Sequence, residues 1–535
     1  MELEAFLRRQ NEAAKERLAK IDEMGWKVTS TGEEEWNDRL EQAQNEWIRY
    51  CSDTDQFQEV KTYRALRSLS PLQRRQLDEL LAMFGKQQLD PELAAQSADM
   101  TKKLVDVFNN YRPTLDGKPV SNNDLRSILE NSPDTELRKR AWLATKQIAV
   151  RVEDQLLALV EQRNLEARSL GYDNYYQMSY ALQDLDVEES FAIFNELLEL
   201  SEEPYQEVKR EVDEDTCLRF GIRGDQLRPW HYTDPFFQIA PPQGQWSMND
   251  ELQGRRLEDI VLNTFRDMGL EIADIMAISD LYPRDQKYPF GYCTSMGREG
   301  QPRIMMSIDA SEFWLSAMLH EFGHAAYDKY IDPSLPFLLR KPAHTLTTEG
   351  IAMLFGRMTK QPEWTKRYIF ANRPHAAFMQ EEASVEQALR RNMLVSMRWY
   401  LVFTMFEREL YEHSGSGKDL NERWWQLVRR IQHLQPPEHT HYPDWAAKMH
   451  FSLAPVSYQN YILGELTASQ LQHYIEANIS RPMYTPETGA YLKERFFSSG
   501  AALSWNEKLR EATGEPLQPR YFVEQFVRHS RRVTS

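Results

Sequence analysis

The chain has 535 residues, about three times a typical domain, with 41% hydrophobic and 27% charged residues and a net charge of −17. Its 13 Trp, 24 Tyr and 24 Phe exclude a disordered chain, and an acidic balance without a long basic run argues against nucleic acid or an anionic membrane surface as its main partner. The three cysteines, Cys51, Cys217 and Cys293, are too few and too scattered for a disulfide scaffold or a cysteine-rich metal module.

In chain order, residues 1–50 read as two charged helices broken at Ser30, Thr31 and Gly32. The first residues place charges where a signal peptide needs an apolar stretch, so a cytoplasmic protein is expected. From 63 to 215, helical spacing of apolar residues continues, punctuated at Pro71, Pro91, Pro113, Pro133 and the Leu170–Gly171 turn. Between 218 and 254, Gly221, Gly224, Pro229, Pro235, Pro241, Pro242 and Gly244 mark an irregular, aromatic-rich connector. One β signal follows at 289–309, where residues 291–296 and 302–308 flank the turn Gly297–Gly300. It runs into Asp309–Glu312, a capping-box spacing that predicts a helix over 311–329. Further helices are expected at 346–359, 375–413 and 419–433, with a last bundle from about 456. The longest near-apolar run, Trp399 to Phe406, is too short to cross a bilayer. The fold class is mainly α, with one β-hairpin leading directly into one helix.

That helix carries His320-Glu321-Phe322-Gly323-His324. Histidines at i and i+4 leave one face of a helix about a turn apart, so both imidazoles can reach one metal ion. Glu321 lies about 100° round the helix, close enough to hold a water on that ion rather than the ion itself. This is the H-E-x-x-H arrangement of zinc hydrolases, and it arises by accident in about one chain of this size in forty. An ordinary amphipathic helix would explain the apolar face of Phe313, Trp314, Ala317, Met318, Phe322, Ala325 and Ala326, but not two histidines astride a glutamate.

A catalytic zinc needs a third protein ligand and an open position. Tyr327 and Tyr330 stand where the metzincin pattern requires Gly and His, so that class is excluded. Glu349, 25 residues after His324 at the start of the next expected helix, is the favoured third ligand. His344, in the connecting loop, is the alternative ligand or a residue lining the cleft.

The motif with a downstream glutamate resembles the gluzincin metallopeptidases. The stretch Leu335–Arg340 between the two expected metal helices, and the segment from His450 to Tyr458 and Tyr461, are similar to the peptidyl-dipeptidase A (angiotensin-converting enzyme) family. The thimet-type oligopeptidases are similar in second place. The resemblance implies a large two-lobed helical metallopeptidase with a deep central cleft and a small hairpin beside the zinc helix. Residues 1–535 would form one catalytic unit, with 1–110 as a helical lid, 289–360 as the zinc-binding core and 445–466 as the active-site segment of the second lobe.

It further implies that His320, His324 and Glu349 bind one Zn2+ per chain and that Glu321 is the general base and later the acid. Tyr461 would donate to the oxyanion, His450 would assist, and Tyr458 would bind the substrate's C-terminal carboxylate, with His344 as a further substrate contact. The expected activity is hydrolysis of short peptides with release of C-terminal dipeptides. An endo-acting oligopeptidase and a non-catalytic peptide-binding relative are the alternatives. Departures from the family pattern are Met353 for a carboxylate four residues after Glu349, Met305 and Met306 opposite Cys293 where a disulfide would close the hairpin, Thr294 for a hairpin histidine, and Asn460 for a chloride-binding arginine. Lys448 lies near the place of a lysine that clamps the substrate carboxylate.

Overall fold

Proline and short polar residues set many of the helix starts. Pro71 opens the helix Pro71–Gly85 behind a capping box, in which the Ser70 hydroxyl accepts the Gln73 amide and the Gln73 side chain accepts the Ser70 amide. Asp90 caps Pro91–Asn110 with a carboxylate that accepts the Glu92 and Leu93 amides, and Asp134, just after Pro133, caps Thr135–Lys146 by accepting the Glu136 and Leu137 amides. Gly32, at φ +68°, separates Glu2–Thr31 from Glu34–Cys51 at the expected break.

The computed structural model describes residues 2–241, 248–288, 290–371, 375–413, 417–438 and 442–527, with the backbone alone at 375–383, 417–419 and 527. Across them the chain is mainly helical, and its two sheets are both two-stranded antiparallel hairpins. Among the described residues, no helix is long and apolar enough to cross a membrane. The expected connector at 218–254 holds two short 3-10 turns, Gly224–Gln226 and Pro229–His231, while its residues 242–247 lie outside the described ones. Its backbone is held by buried Arg138, whose guanidinium donates to the carbonyls of Trp230, His231 and Tyr232 at 2.9, 3.2 and 2.9 Å.

The hairpin before the motif helix pairs Tyr292↔Met305, Cys293↔Ile304 and Thr294↔Arg303. Its strands are shorter than the sequence suggests, because Met296, Gly297 and Arg298 all take positive φ and cannot extend a ladder. Pro289, at the start of the expected strand region, lies outside the described residues. The second hairpin, Thr114–Leu115 with Lys118–Pro119, lies outside the expected elements. Its signal is Asp116-Gly117, both at positive φ (51° and 78°), the dipeptide favoured in two-residue hairpin turns.

The motif helix runs Glu312–Lys329, and its cap is Ser311, not Asp309 as the spacing suggested. A tight turn from the Ser311 amide to the Asp309 carbonyl (2.9 Å) brings the Ser311 hydroxyl to the Trp314 amide. Glu312 therefore opens the helix instead of closing a capping box, and its carboxylate accepts the Thr359 hydroxyl at 2.7 Å. The other expected helices are Thr345–Gly356 with a 3-10 extension to Lys360, His375–Glu412, Gly417–Gln432 and Gln459–Asn478.

Two compact units make up the chain. The first comprises residues 1–88, 245–386 and 463–525; the second comprises 89–244, 387–462 and 526–535. In the first, Phe6, Leu7, Val60, Leu77, Leu80 and Phe84 bury the N-terminal helices against Phe337 and Leu338. In the second, Phe403 stacks on Phe451 (4.1 Å, 6°) within a core that includes Phe406, Trp424 and Trp445.

Candidate metal centre

The motif helix buries Leu315, Met318, Leu319, Phe322, Ala325 and Ala326, which leaves His320 and His324 on a neighbouring face. Their rings sit 4.8 Å apart at 86°, with Nε2 to Nε2 at 3.2 Å. The helix Thr345–Gly356 crosses this face closely because glycines stand at the contacts. A Cβ on Gly323 would lie 3.1 Å from the Ala352 Cα, and one on Gly356 would lie 3.1 Å from the His320 Cβ. On its other side, the helix Gln459–Asn478 comes equally near, since a Cβ on Gly464 would meet the Glu349 Cβ at 3.1 Å. The parallel stack of Phe265 on Phe355 (4.5 Å, 8°) closes the layer behind.

These approaches bring a Glu349 carboxylate oxygen to 3.7 Å from His320 Nε2 and the other to 3.8 Å from His324 Nε2. Donors at about 2.0–2.2 Å from a tetrahedral zinc are separated by roughly 3.3–3.6 Å. Two imidazole nitrogens and a carboxylate at 3.2–3.8 Å stand close to that spacing, so small side-chain adjustments suffice to hold such an ion. His320, His324 and Glu349 are the one group of three potential ligands that the structure brings together among the described residues. His344 is not part of it. Its Nδ1 accepts the Leu346 amide at 2.9 Å and caps the helix that carries Glu349.

Burial sets the charge state of the site. In the metal-free chain it pushes the Glu321 carboxyl up to about 8, helped by the Glu349 charge and opposed by a hydrogen bond from the Cys293 backbone amide. Glu349 is raised to about 7 by burial and by Glu465, while burial lowers His320 to about 4 and, with the His320 charge, holds His324 well below its usual value. The imidazoles are thus neutral, as ligands must be, and the carboxyls stand in a field that a dication would relieve. Glu465 pairs with buried Arg357 (3.4 Å), which also meets Ser469 and Gln472.

Thr348, Met353 and Cys293 complete the first unit's site. Thr348 Oγ1 lies 2.6 Å from His324 Nδ1. Met353 puts its sulfur against Gly464, 3.1 Å from where a Cβ there would stand, so no carboxylate occupies that position. The Cys293 amide ties Glu321 to the hairpin. All three cysteines are free.

The second unit gathers His450, Tyr458 and Tyr461. The His450 and Tyr458 rings are 5.4 Å apart at 82°, and Tyr458 and Tyr461 are 5.4 Å apart at 75°. Phe403 stacks on Tyr458 (3.8 Å) and Tyr400 on Tyr461 (5.4 Å), both from the helix His375–Glu412. Tyr458 is buried, whereas Tyr461 is 39% exposed. His450 is pushed down to about 4 by burial and by Lys448, and its buried Nδ1 has no hydrogen-bond partner.

Lys448, lowered to about 8 by burial, donates to Gln238 Oε1 at 2.5 Å and lies 5.0 Å from the Trp399 ring. The turn that carries these groups is fixed from beneath by Arg163, which donates to the Phe451 and Ser452 carbonyls at 3.0 and 2.7 Å. At the position of the family arginine, Asn460 donates to Gln183 at 3.1 Å, a neutral amide pair. Trp230, His231 and Tyr232 are buried packing residues. Motif spacing carries no signal for Thr348, Gln238 or Arg163, because each acts across more than one element.

The family model described as angiotensin-converting enzyme, peptidase family M2, matches residues 1–209 and 294–526. That span covers most of the chain and contains the two histidines, Glu321, Glu349 and the His450–Tyr461 segment. The chain is also similar to thermostable carboxypeptidase 1 of Pyrococcus furiosus, at 23% identity over 235 residues, 38% of this chain. The match spans 45% of that relative's length.

Proposed function

The chain belongs to the angiotensin-converting enzyme family, and from that premise we propose that it is a zinc-dependent peptidase that hydrolyses short peptides and releases C-terminal dipeptides. The observation that carries this reading is the triangle of His320 Nε2, His324 Nε2 and a Glu349 carboxylate at 3.2–3.8 Å, with Glu321 beside it. One zinc ion per chain, with a fourth position open, would supply Lewis acidity toward a peptide carbonyl and lower the pKa of water. Glu321, a carboxyl made more basic by burial, takes the proton of the attacking water and returns it to the leaving amine.

Tyr461, the exposed phenol of its cluster, donates to the oxyanion, and the imidazole of His450, whose buried Nδ1 has no hydrogen-bond partner, assists. Tyr458 and Lys448 meet the C-terminal carboxylate of the peptide, and His344 contacts the substrate from the loop ahead of Glu349. Residues 1–110 act as a lid in this reading. The free thiols of Cys51, Cys217 and Cys293 support a cytoplasmic setting.

Metal analysis of the purified protein should give one zinc per chain, and Glu321→Gln should keep the metal and lose hydrolysis. A fully active Glu321→Gln variant overturns the mechanism. The carboxypeptidase relative supports a second reading, removal of single C-terminal residues. Product masses from a peptide with a blocked N-terminus separate the two: dipeptides support the first, single amino acids the second, and internal fragments an oligopeptidase.

A further inference from the structure

We propose that Thr348 is the positioning residue for His324, its hydroxyl accepting the Nδ1 hydrogen so that Nε2 is left unprotonated and aimed at the metal. This rests on the metal-site reading above and adds to it the group that fixes the ring. The Oγ1 to Nδ1 separation of 2.6 Å is a close hydrogen bond, while Nε2 of the same ring lies 3.2 Å from His320 Nε2 and 3.8 Å from Glu349. Imidazole has one hydrogen to give when neutral, so a partner at one nitrogen decides the tautomer and the ring angle together.

The two adjacent threonines divide their work. Thr347 serves the start of its helix: its hydroxyl donates to the His344 carbonyl at 2.7 Å and accepts the His344 amide at 3.2 Å. Thr348, rotated about 100° further round the helix, faces the motif helix instead. A β-branched residue is a weak choice inside a helix, where the χ1 of threonine is confined to two main rotamers, and Thr348 takes one that aims its hydroxyl at His324. Because Thr348 immediately precedes Glu349, one backbone segment delivers both a ligand and the group that orients another ligand. Any shift of Thr345–Gly356 against the motif helix then moves both contacts at once.

The test is the zinc affinity of metal-free protein, titrated with zinc alone against a chromophoric chelator, together with the melting temperature of the metal-free form. Thr348→Ala and Thr348→Val should bind zinc about 10–100-fold more weakly than the parent, Thr348→Ser should bind as the parent does, and metal-free melting temperatures should agree. Variants without a hydroxyl that bind zinc as tightly as the parent overturn the proposal, whether or not they melt earlier. A serine variant as weak as the alanine one overturns it as well. A parent that binds no zinc overturns the metal reading itself, a result distinct from either of these.

Discussion

Gly323 and Ala352 touch backbone to backbone: a Cβ on the glycine would stand 3.1 Å from the Ala352 Cα. Two helices that each supply part of one candidate metal site therefore come into main-chain contact at this point, and the reach of Glu349 to the imidazoles depends on that closeness. The nearest obstacle is main chain, which cannot rotate away as a side chain would, and the Phe355 ring at 3.3 Å closes the space beside it. Gly323→Ala should push the helices apart by a few tenths of an ångström, costing about 1–3 kcal/mol of stability. Denaturant unfolding and zinc titration check it, and the affinity for zinc should fall with the stability.

Glu321→Gln removes the proposed base while keeping size and shape. Hydrolysis should fall by about 10²–10⁴-fold, with zinc content unchanged, as read by steady-state rates and metal analysis on the same preparation.

The same variant carries a pH signature in the metal-free form. Glu321 is raised to about 8, above its unfolded value, so the folded protein holds a proton there that the unfolded chain releases. That contribution is fully present below the unfolded pKa and is lost as pH rises through about 8. Relative to the parent, metal-free Glu321→Gln should gain stability between pH 5 and pH 8.5, measured as the difference in urea midpoints. A difference that shrinks with pH would have the wrong sign.

Tyr461→Phe keeps the ring that stacks on Tyr400 and deletes only the hydroxyl. If that hydroxyl serves the oxyanion, kcat should fall about 10²–10³-fold with KM little changed. Tyr458→Phe and Lys448→Met should instead raise KM for peptides with a free C-terminus and leave C-terminally amidated peptides unaffected.

Arg163 bonds the Phe451 and Ser452 carbonyls and the Tyr411 hydroxyl from a buried position. Arg163→Ala strands these acceptors, each worth about 1–3 kcal/mol when buried and unmet. Lower stability together with a slower kcat is expected, since the turn it holds follows directly on His450.

Local chemistry in the sequence determined much of this protein. The i, i+4 histidines, the glutamate between them, the proline and serine helix starts and the hairpin ahead of the motif are all encoded within a few residues, at distances where helix and strand periods act directly. Where local signals competed, as at Asp309 and Ser311, the tight turn chose between them. The missed Asp116-Gly117 hairpin was also locally written, in the turn dipeptide itself.

Tertiary structure alone decided how close two helices could come and what each side chain met across the gap. Glu349 reaches the imidazoles because Gly323, Gly356 and Gly464 let three helices approach. Thr348 rather than a residue at 353 meets His324, because rotation of one helix against another selects the partner. Those choices join residues more than twenty apart in sequence, where no period links them and only the packing of complete helices fixes which atoms face each other.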